Sequence, residues 1–220
     1  MEKKVSTKKW SAAIRINHWV TVLAILILIG TGLYIARPFA ASAGDTADNF
    51  LMGYVRFFHI LFGMLLTFNF IWRVYLAFFS RFKADWRDFF AFLDFKNLVK
   101  QIKFYLLLSD EAPEEKYVYA PMQSFAYMGI MFMILAVIVT GFILTGSGYE
   151  KGLIGLIYIL VKPLQTMLGL ATVKFFHHIM MWFFILYLIV HVYMALWTNA
   201  VKKDGTLFSM INGMMLEKKK

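Results

Sequence analysis

The chain has 220 residues, of which 60% are hydrophobic and 18% aromatic, and its mean hydropathy of +0.65 excludes an ordinary soluble domain. It contains no cysteine, which excludes disulfides, thiolate-bound iron–sulfur clusters and covalently attached c-type haem within the chain. The formal net charge is +10, but the placement of the basic residues follows membrane topology and excludes nucleic acid as the expected partner.

Four stretches are long enough to cross a bilayer core of roughly 30 Å, which takes about 20 apolar residues. They are predicted near residues 17–36, 54–79, 122–145 and 175–198. Because the membrane offers no water to unpaired backbone groups, each is expected to be a helix. The first is interpreted as a span and not as a cleaved signal peptide, because it is long and lacks a small-residue cleavage site. The predicted fold is an all-α membrane protein, a four-transmembrane-helix bundle with one domain over residues 1–220.

Lysine and arginine are concentrated on one predicted side of the membrane. Eighteen of the 23 fall within residues 1–15, 73–116 and 202–220. The five on the other side are Arg37, Arg56, Lys151, Lys162 and Lys174. This positive-inside pattern predicts that both termini are cytoplasmic and that the chain is a multi-pass protein of the bacterial cytoplasmic (inner) membrane.

The segments outside the spans are short or interfacial. The lysine-rich tail 1–10 is predicted to be mobile, and residues 40–49, which are rich in small residues, are expected to form a turn. The connection 81–119 mixes charged and aromatic residues, as an amphipathic interfacial segment does. Residues 153–161 are apolar but too short to span, and residues 207–216 are expected to form a short interfacial segment.

Four of the five histidines lie in predicted spans, where an unpaired imidazole is costly and a functional role is the first hypothesis. His177 and His191 are fourteen residues apart, so their side chains differ by about 40° around one helix and lie roughly 21 Å apart along it. The predicted topology places His18 beside His191 near the cytoplasmic face. It places His59 beside His177 near the outer face. Two histidine pairs at two depths suit two haems b, with the histidines as the iron ligands.

Other interpretations of the histidines are weaker. His178 lies about 100° from His177 around the helix and is interpreted as structural, with ligation in place of His177 as the alternative. A single membrane histidine often serves only helix packing, but four at two matched depths favour a cofactor. A zinc site is disfavoured because the pairs are too far apart for one metal ion and no carboxylate accompanies them.

Two glycines are predicted to make room for a cofactor. Gly63 lies one turn beyond His59, where a missing side chain lets a macrocycle approach the backbone. Gly32 lies on the His18 face of the first span, at the outer depth. Helix packing is the alternative role for both.

Arginines near the histidines are candidate partners of the haem propionates. Arg73 lies on the His59 face of the second span at the inner depth, where it can pair with a propionate. Arg15, Arg56 and Lys174 flank predicted ligands and are similar candidates, with snorkelling to the membrane surface as the alternative.

Seven sequence blocks join these residues to their neighbours: RINHW (15–19), TGLYI (31–35), MGYVRFFH (52–59), RVYLAF (73–78), HHIMMW (177–182), HVYMA (191–195) and SMING (209–213). Through these blocks, nearly the whole chain resembles the b-type cytochrome subunit of membrane-bound nickel–iron hydrogenases. That family is related to the cytochrome subunits of respiratory formate dehydrogenases, and the block before His59 looks more like the hydrogenase branch.

The resemblance implies four transmembrane helices holding two haems b. It also implies three kinds of partner: an iron–sulfur small subunit, a nickel–iron large subunit and a membrane quinone, either menaquinone or ubiquinone. Hydrogen would be oxidised outside the membrane and quinone reduced near the cytoplasmic side. The chain would then carry quinone reduction but not hydrogen activation.

The predicted quinone site is at the inner start of the third span. The family has a Tyr-Asn-Pro-Leu-Gln-type sequence there, and this chain has Gln123 but carries Ala120 in place of the asparagine. Gln123 can donate and accept hydrogen bonds, and His191 and Tyr193 are predicted at the same depth. Either the quinone is held differently here or the asparagine contact is dispensable, and Gln123 alternatively solvates a helix end.

The sequence therefore predicts a dihaem cytochrome b that passes electrons from an outer-face nickel–iron hydrogenase to membrane quinone. Bis-histidine ligation leaves no open iron position, which favours electron transfer. The alternatives are the same module serving formate dehydrogenase or another respiratory oxidoreductase, a cofactor-free membrane anchor, and a small transporter. The transporter is disfavoured because the spans lack carboxylates and Pro-broken helix pairs.

Overall fold

The structure is a computed structural model that describes residues 4–38, 50–79, 86–109 and 119–218. Most of the described residues are helical. In chain order the elements are β1 (Lys4–Lys8), α1 (Ala12–Ala36), α2 (Leu51–Phe79), a 3-10 helix (Trp86–Leu93), α3 (Phe95–Tyr105), α4 (Pro121–Gly146), α5 (Gly152–Leu168), α6 (Leu170–Lys202), α7 (Thr206–Asn212) and β2 (Met214–Lys218). The turn expected at 40–49 lies outside the described residues.

Four helices, α1, α2, α4 and α6, are long and apolar enough to cross a membrane, as the sequence predicts. Each extends a few residues beyond its predicted limits at one end or at both. Ser11 accepts a hydrogen bond from the backbone N–H of Ile14 and so caps the start of α1. Pro121 begins α4, at the helix position that best tolerates proline.

The described part of the connection 81–119 is helical and amphipathic. Asp94 starts α3 by accepting a hydrogen bond from the N–H of Asn97. On α3, Gln101 and Phe104 are buried while Phe95 and Val99 are exposed. This one-sided burial agrees with the interfacial segment expected from the sequence. Residues 81–85 and 110–118 of the connection lie outside the described residues.

The apolar segment predicted at 153–161 belongs to α5, a helix of 17 residues that is too short for the membrane-spanning set. Gly146, at the end of α4, lies against Tyr158 of α5. A Cβ atom on this glycine would come within 2.5 Å of the Tyr158 side chain. The close approach fixes where the chain turns from α4 into α5.

The two ends of the chain pair as a two-stranded antiparallel sheet, with Lys4 opposite Lys218 and Lys8 opposite Met214. The prediction of a mobile N-terminal tail is therefore wrong for its described part, and the fold contains two short strands beside its helices. Trp10, which is buried, reinforces the pairing by donating its indole N–H to the Ser209 hydroxyl at 3.1 Å. Local sequence patterns carry no sign of this pairing because its partners are about 200 residues apart.

The chain divides into two compact units. Unit 1 comprises Met1–Trp19, Trp72–Phe132 and Leu186–Lys220, and unit 2 comprises Val20–Ile71 and Met133–Ile185. Unit 1 contains His18 and His191, and unit 2 contains His59 and His177. In unit 1 a cluster of buried side chains packs together: Trp10, Ile14, Leu76, Ala77, Phe89 and Tyr119. The single domain over residues 1–220 stays a prediction.

Candidate functional site

In unit 2, the structure places His59 of α2 against His177 of α6. Their ring centres are 6.3 Å apart and the ring planes make an angle of 69°. Both side chains are half-buried. These are the two histidines that the sequence pairs at the outer depth.

In unit 1, the structure places His18 of α1 against His191 of α6. Their ring centres are 6.2 Å apart and the planes make an angle of 45°. Tyr187, one helical turn before His191, stacks on its ring with an interplanar angle of 12°. The stacked tyrosine restricts the orientation of this imidazole.

Both pairs have the separation that a shared iron ion requires. An imidazole nitrogen binds a first-row metal at about 2 Å and lies about 1 Å from the ring centre, so two axial imidazoles have ring centres about 6 Å apart. The observed 6.2 and 6.3 Å agree with this value. The residues present therefore fit two bis-histidine haems.

Each histidine of unit 2 also contacts a threonine that the sequence analysis did not select. Thr31 Oγ1 lies 2.8 Å from His59 Nδ1, and Thr140 Oγ1 lies 2.8 Å from His177 Nδ1. The available signal was the Thr-Gly dipeptide, which lies inside an apolar span at 31–32 in α1 and at 140–141 in α4 and recurs at 145–146, where α4 ends.

The glycines of these dipeptides let the rings approach the helices. A Cβ atom on Gly32 would lie 3.3 Å from His59 Cε1, and one on Gly141 would lie 3.5 Å from His177 Cε1. Gly32 was expected to clear space at the outer depth, and the structure places it directly against His59. At Gly63 a Cβ atom would meet nothing within 4 Å, so space lies beside the backbone there.

Arg73 is buried in unit 1 among aromatic rings. Its guanidinium carbon lies 5.3 Å from the Phe89 ring centre and 5.1 Å from that of Tyr127. Nη2 donates a long hydrogen bond of 3.4 Å to the Tyr119 hydroxyl, whereas Nη1 is buried with no partner among the described residues. A buried cation with a free donor suits an anionic ligand such as a carboxylate, because leaving it unpaired is costly.

The other cationic candidates are placed differently. Arg15 donates through Nη1 to the backbone carbonyl of Ile211, which ties it to the C-terminal tail, while its Nε is buried without a hydrogen-bond partner in the part of the chain that the structure describes. Arg56 and Lys174 are exposed. Of the four cationic side chains, Arg73 is the least exposed to solvent. An anionic partner would therefore stabilise Arg73 more than it would the other three.

Two of the three predicted quinone residues, Gln123 and Tyr193, bond to the backbone at helix ends. Gln123 is exposed, and its Oε1 accepts a hydrogen bond from the Ala120 N–H at 3.2 Å, which closes one turn at the start of α4. Tyr193 donates its hydroxyl to the Tyr105 carbonyl at 3.1 Å. Among the described residues, no hydrogen bond joins Gln123 to Tyr193 or His191. The amide nitrogen of Gln123 remains available to a ligand.

His178 is exposed, unlike His177 beside it. Over residues 4–38, 50–79, 86–109 and 119–218, no group of three or more His, Cys, Asp or Glu side chains could hold a metal ion. The paired histidines are thus the candidate ligand sets that the described residues offer.

The relatives that comparison with known proteins found carry consistent names. Residues 9–213 match the family described as prokaryotic cytochrome b561. The chain is 31% identical to a probable Ni/Fe-hydrogenase B-type cytochrome subunit of Azotobacter chroococcum mcd 1, over 99% of this chain and 92% of the relative. It is 30% identical to the protein of that name from Rhodobacter capsulatus, over 97% and 82%. It is 29% identical to the probable Ni/Fe-hydrogenase 1 B-type cytochrome subunit of Escherichia coli K12, over 95% and 90%.

Proposed function

The chain belongs to the prokaryotic cytochrome b561 family, and we propose that it is the dihaem membrane anchor through which a nickel–iron hydrogenase delivers electrons to quinone. It is a multi-pass membrane protein and a b-type cytochrome, which implies haem b. Haem b supplies reversible one-electron transfer, and two histidine ligands leave the iron no open position for oxygen or substrate.

The observation that carries the proposal is the pair of histidine contacts. His18 and His191 hold one haem in unit 1, with ring centres 6.2 Å apart. The pair of unit 2, with ring centres 6.3 Å apart, holds the second haem. Helix α6 provides one ligand to each, from positions fourteen residues apart. Two histidine pairs at nearly the same separation, each with one member on α6, favour a cofactor over helix packing alone.

Arg73 is the propionate partner in unit 1. Its unpaired Nη1 is a donor in a buried place, and a propionate oxygen would accept from it. Phe89 and Tyr127 flank the guanidinium and hold it in place by cation–π contacts. The guanidinium is therefore oriented before the propionate binds. Arg15 and Arg56 are secondary candidates for the same kind of contact.

The partners are the iron–sulfur small subunit and the nickel–iron large subunit of a hydrogenase on the outer face. The names of the relatives support this partner over formate dehydrogenase. The concentration of lysine and arginine in the tails and in residues 73–116 supports cytoplasmic termini. With this orientation, the unit 2 pair lies on the side of the hydrogenase.

Quinone, either menaquinone or ubiquinone, is reduced near the cytoplasmic face beside Gln123, His191 and Tyr193. The Gln123 amide nitrogen donates to a quinone oxygen while its carbonyl oxygen stays on the Ala120 N–H. Ala120 has no hydrogen-bonding side chain, so either the quinone is held differently here or the asparagine contact of the family is dispensable.

Haem quantification tests the proposal most directly. Reduced-minus-oxidised spectra with pyridine haemochrome analysis should give about two low-spin haems b per chain in the purified wild type. His177→Ala should retain about one, and His178→Ala, on the exposed neighbour, should retain two. Colourless, folded wild-type protein would overturn the proposal and leave a cofactor-free anchor or a transporter.

A further inference from the structure

The two hydrogen bonds from threonine to histidine in unit 2 have a defined direction. Thr31 Oγ1 lies 2.7 Å from the backbone carbonyl oxygen of Ile27, one turn earlier in α1. A carbonyl oxygen only accepts, so the single hydroxyl hydrogen of Thr31 is donated to it. A lone pair of Thr31 Oγ1 then faces His59 Nδ1, and these two atoms are 2.8 Å apart. His59 must therefore carry its hydrogen on Nδ1, which leaves Nε2 with a free lone pair.

The same arrangement occurs at the second histidine of the pair. Thr140 Oγ1 donates to the carbonyl oxygen of Ala136 at 2.7 Å and lies 2.8 Å from His177 Nδ1. His177 thus also carries its hydrogen on Nδ1. A neutral imidazole binds a metal through the nitrogen that lacks the hydrogen, so both rings are held in the tautomer that ligation through Nε2 needs.

Glycine follows threonine in both places, and the two residues act together. Gly32 admits His59 Cε1, and Gly141 admits His177 Cε1, to distances that a side chain would crowd. The ring can therefore rest against the helix while Nδ1 reaches the hydroxyl. We call each of these dipeptides, Thr31-Gly32 and Thr140-Gly141, a Thr-Gly seat.

Among its described residues, unit 1 has no counterpart of these seats. Within the part of the chain that the structure describes, no hydroxyl bonds to the ring nitrogens of His18 or His191. The ring of His191 is held by stacking on Tyr187 instead. The two histidine pairs thus share their separation but differ in what supports the rings.

We infer that Thr31 and Thr140 are positioning residues that fix the Nδ1–H tautomer of the unit 2 histidines and lower the reduction potential of the haem held there. The inference rests on the proposed function. An acceptor on Nδ1–H makes the imidazole a more basic ligand, and a more basic ligand favours ferric over ferrous iron. Because the seats occur only at one histidine pair of the described chain, the effect is confined to one of the two haems.

The test compares Thr31→Val and Thr140→Val with Thr31→Ser and Thr140→Ser. Valine keeps the shape of threonine and removes the hydroxyl, while serine keeps the hydroxyl. Thr67→Val is the matched control, because Thr67 lies on α2 and, among the described residues, its hydroxyl bonds only to the Gly63 carbonyl one turn earlier. Each variant is measured in isolated membranes by haem quantification, by optical redox titration and by electron paramagnetic resonance of the ferric haems.

The expected result is two haems in every variant and a raised midpoint potential for one haem in the valine variants. A two- to tenfold gain in the reduction equilibrium constant is expected, and tenfold corresponds to about 59 mV for one electron. The ferric signal of the same haem should shift. The serine variants and Thr67→Val should match the wild type.

The outcomes separate the inference from the proposed function. Absence of haem from the wild type overturns the proposed function. Two haems with unchanged potentials and ferric signals in the valine variants overturn the inference alone, as does an equal change in the valine and serine variants. If valine causes the loss of one haem and serine restores it, the hydroxyl is required to hold the ligand, which supports the positioning role of Thr31 and Thr140.

Discussion

Gly32 allows a graded test of how closely His59 must approach α1. A Cβ atom there would lie 3.3 Å from His59 Cε1, just inside the roughly 3.5–4.0 Å at which two carbon atoms attract most strongly. For Gly32→Ala, the ring must withdraw by a few tenths of an ångström. The hydrogen bond between Thr31 and His59, now 2.8 Å, would lengthen by a similar amount and still hold. We expect both haems to be retained at a cost below about 1 kcal/mol.

Gly32→Val adds two more carbon atoms beside the same ring. The withdrawal then exceeds what the hydrogen bond tolerates, and overpacking costs about 1–3 kcal/mol. We expect the unit 2 haem to be largely lost while the unit 1 haem remains, giving about one haem per chain by the pyridine haemochrome assay. Gly30→Val is the matched control on the same helix, since a Cβ atom at Gly30 meets nothing within 4 Å.

Equal haem content in Gly32→Val and Gly30→Val would refute this reasoning. It would mean that the ring does not depend on the close approach to α1. A loss of both haems in Gly32→Val, with Gly30→Val intact, would instead mean that the two sites are coupled.

Two further predictions concern unit 1. Arg73→Gln removes the charged donor, and a hydrogen bond to a charged group is worth about 1.5–3 kcal/mol, so haem affinity should fall by about 10- to 150-fold. Haem content in haem-limited cells measures this, and equal occupancy in Arg73→Gln and the exposed Arg37→Gln would contradict it. Trp10→Phe removes the indole donor to Ser209 and should cost about 1 kcal/mol, with faster amide hydrogen exchange in β1. Unchanged exchange there would show that the strand pairing holds without this bond.

The membrane explains why the spans were predictable. A bilayer imposes both a length and an apolar composition on each helix, so α1, α2, α4 and α6 can be read from hydropathy. Helical periodicity and membrane topology then predict that His59 lies near His177, because both rules apply to regular helices. The coarse fold and the histidine contacts therefore depend on rules that a single sequence carries.

What the sequence did not reveal depends on how separate elements meet. The seat at Thr31 exists because α1 packs against α2 in one particular register, and no spacing within either helix encodes it. The aromatic surroundings of Arg73 come partly from Phe89 on the 3-10 helix, in a connection with no strong periodicity. The pairing of β1 with β2 joins residues from opposite ends of the chain. The sequence leaves Gln123 with two roles, a quinone contact and a contact at a helix end. The helix-end role is seen only in the hydrogen bond that Gln123 accepts from Ala120.

The pairing of β1 with β2 has a consequence for the timing of biosynthesis. β1 is made before its partner β2, which follows about 200 residues later, and this delay takes roughly 10–40 s at ordinary translation rates. Throughout that interval β1 has no strand to pair with, and the indole N–H of Trp10 lacks its acceptor, the Ser209 hydroxyl. If translation stalls before Met214, α1 is already made, but unit 1 lacks β2 and is incomplete.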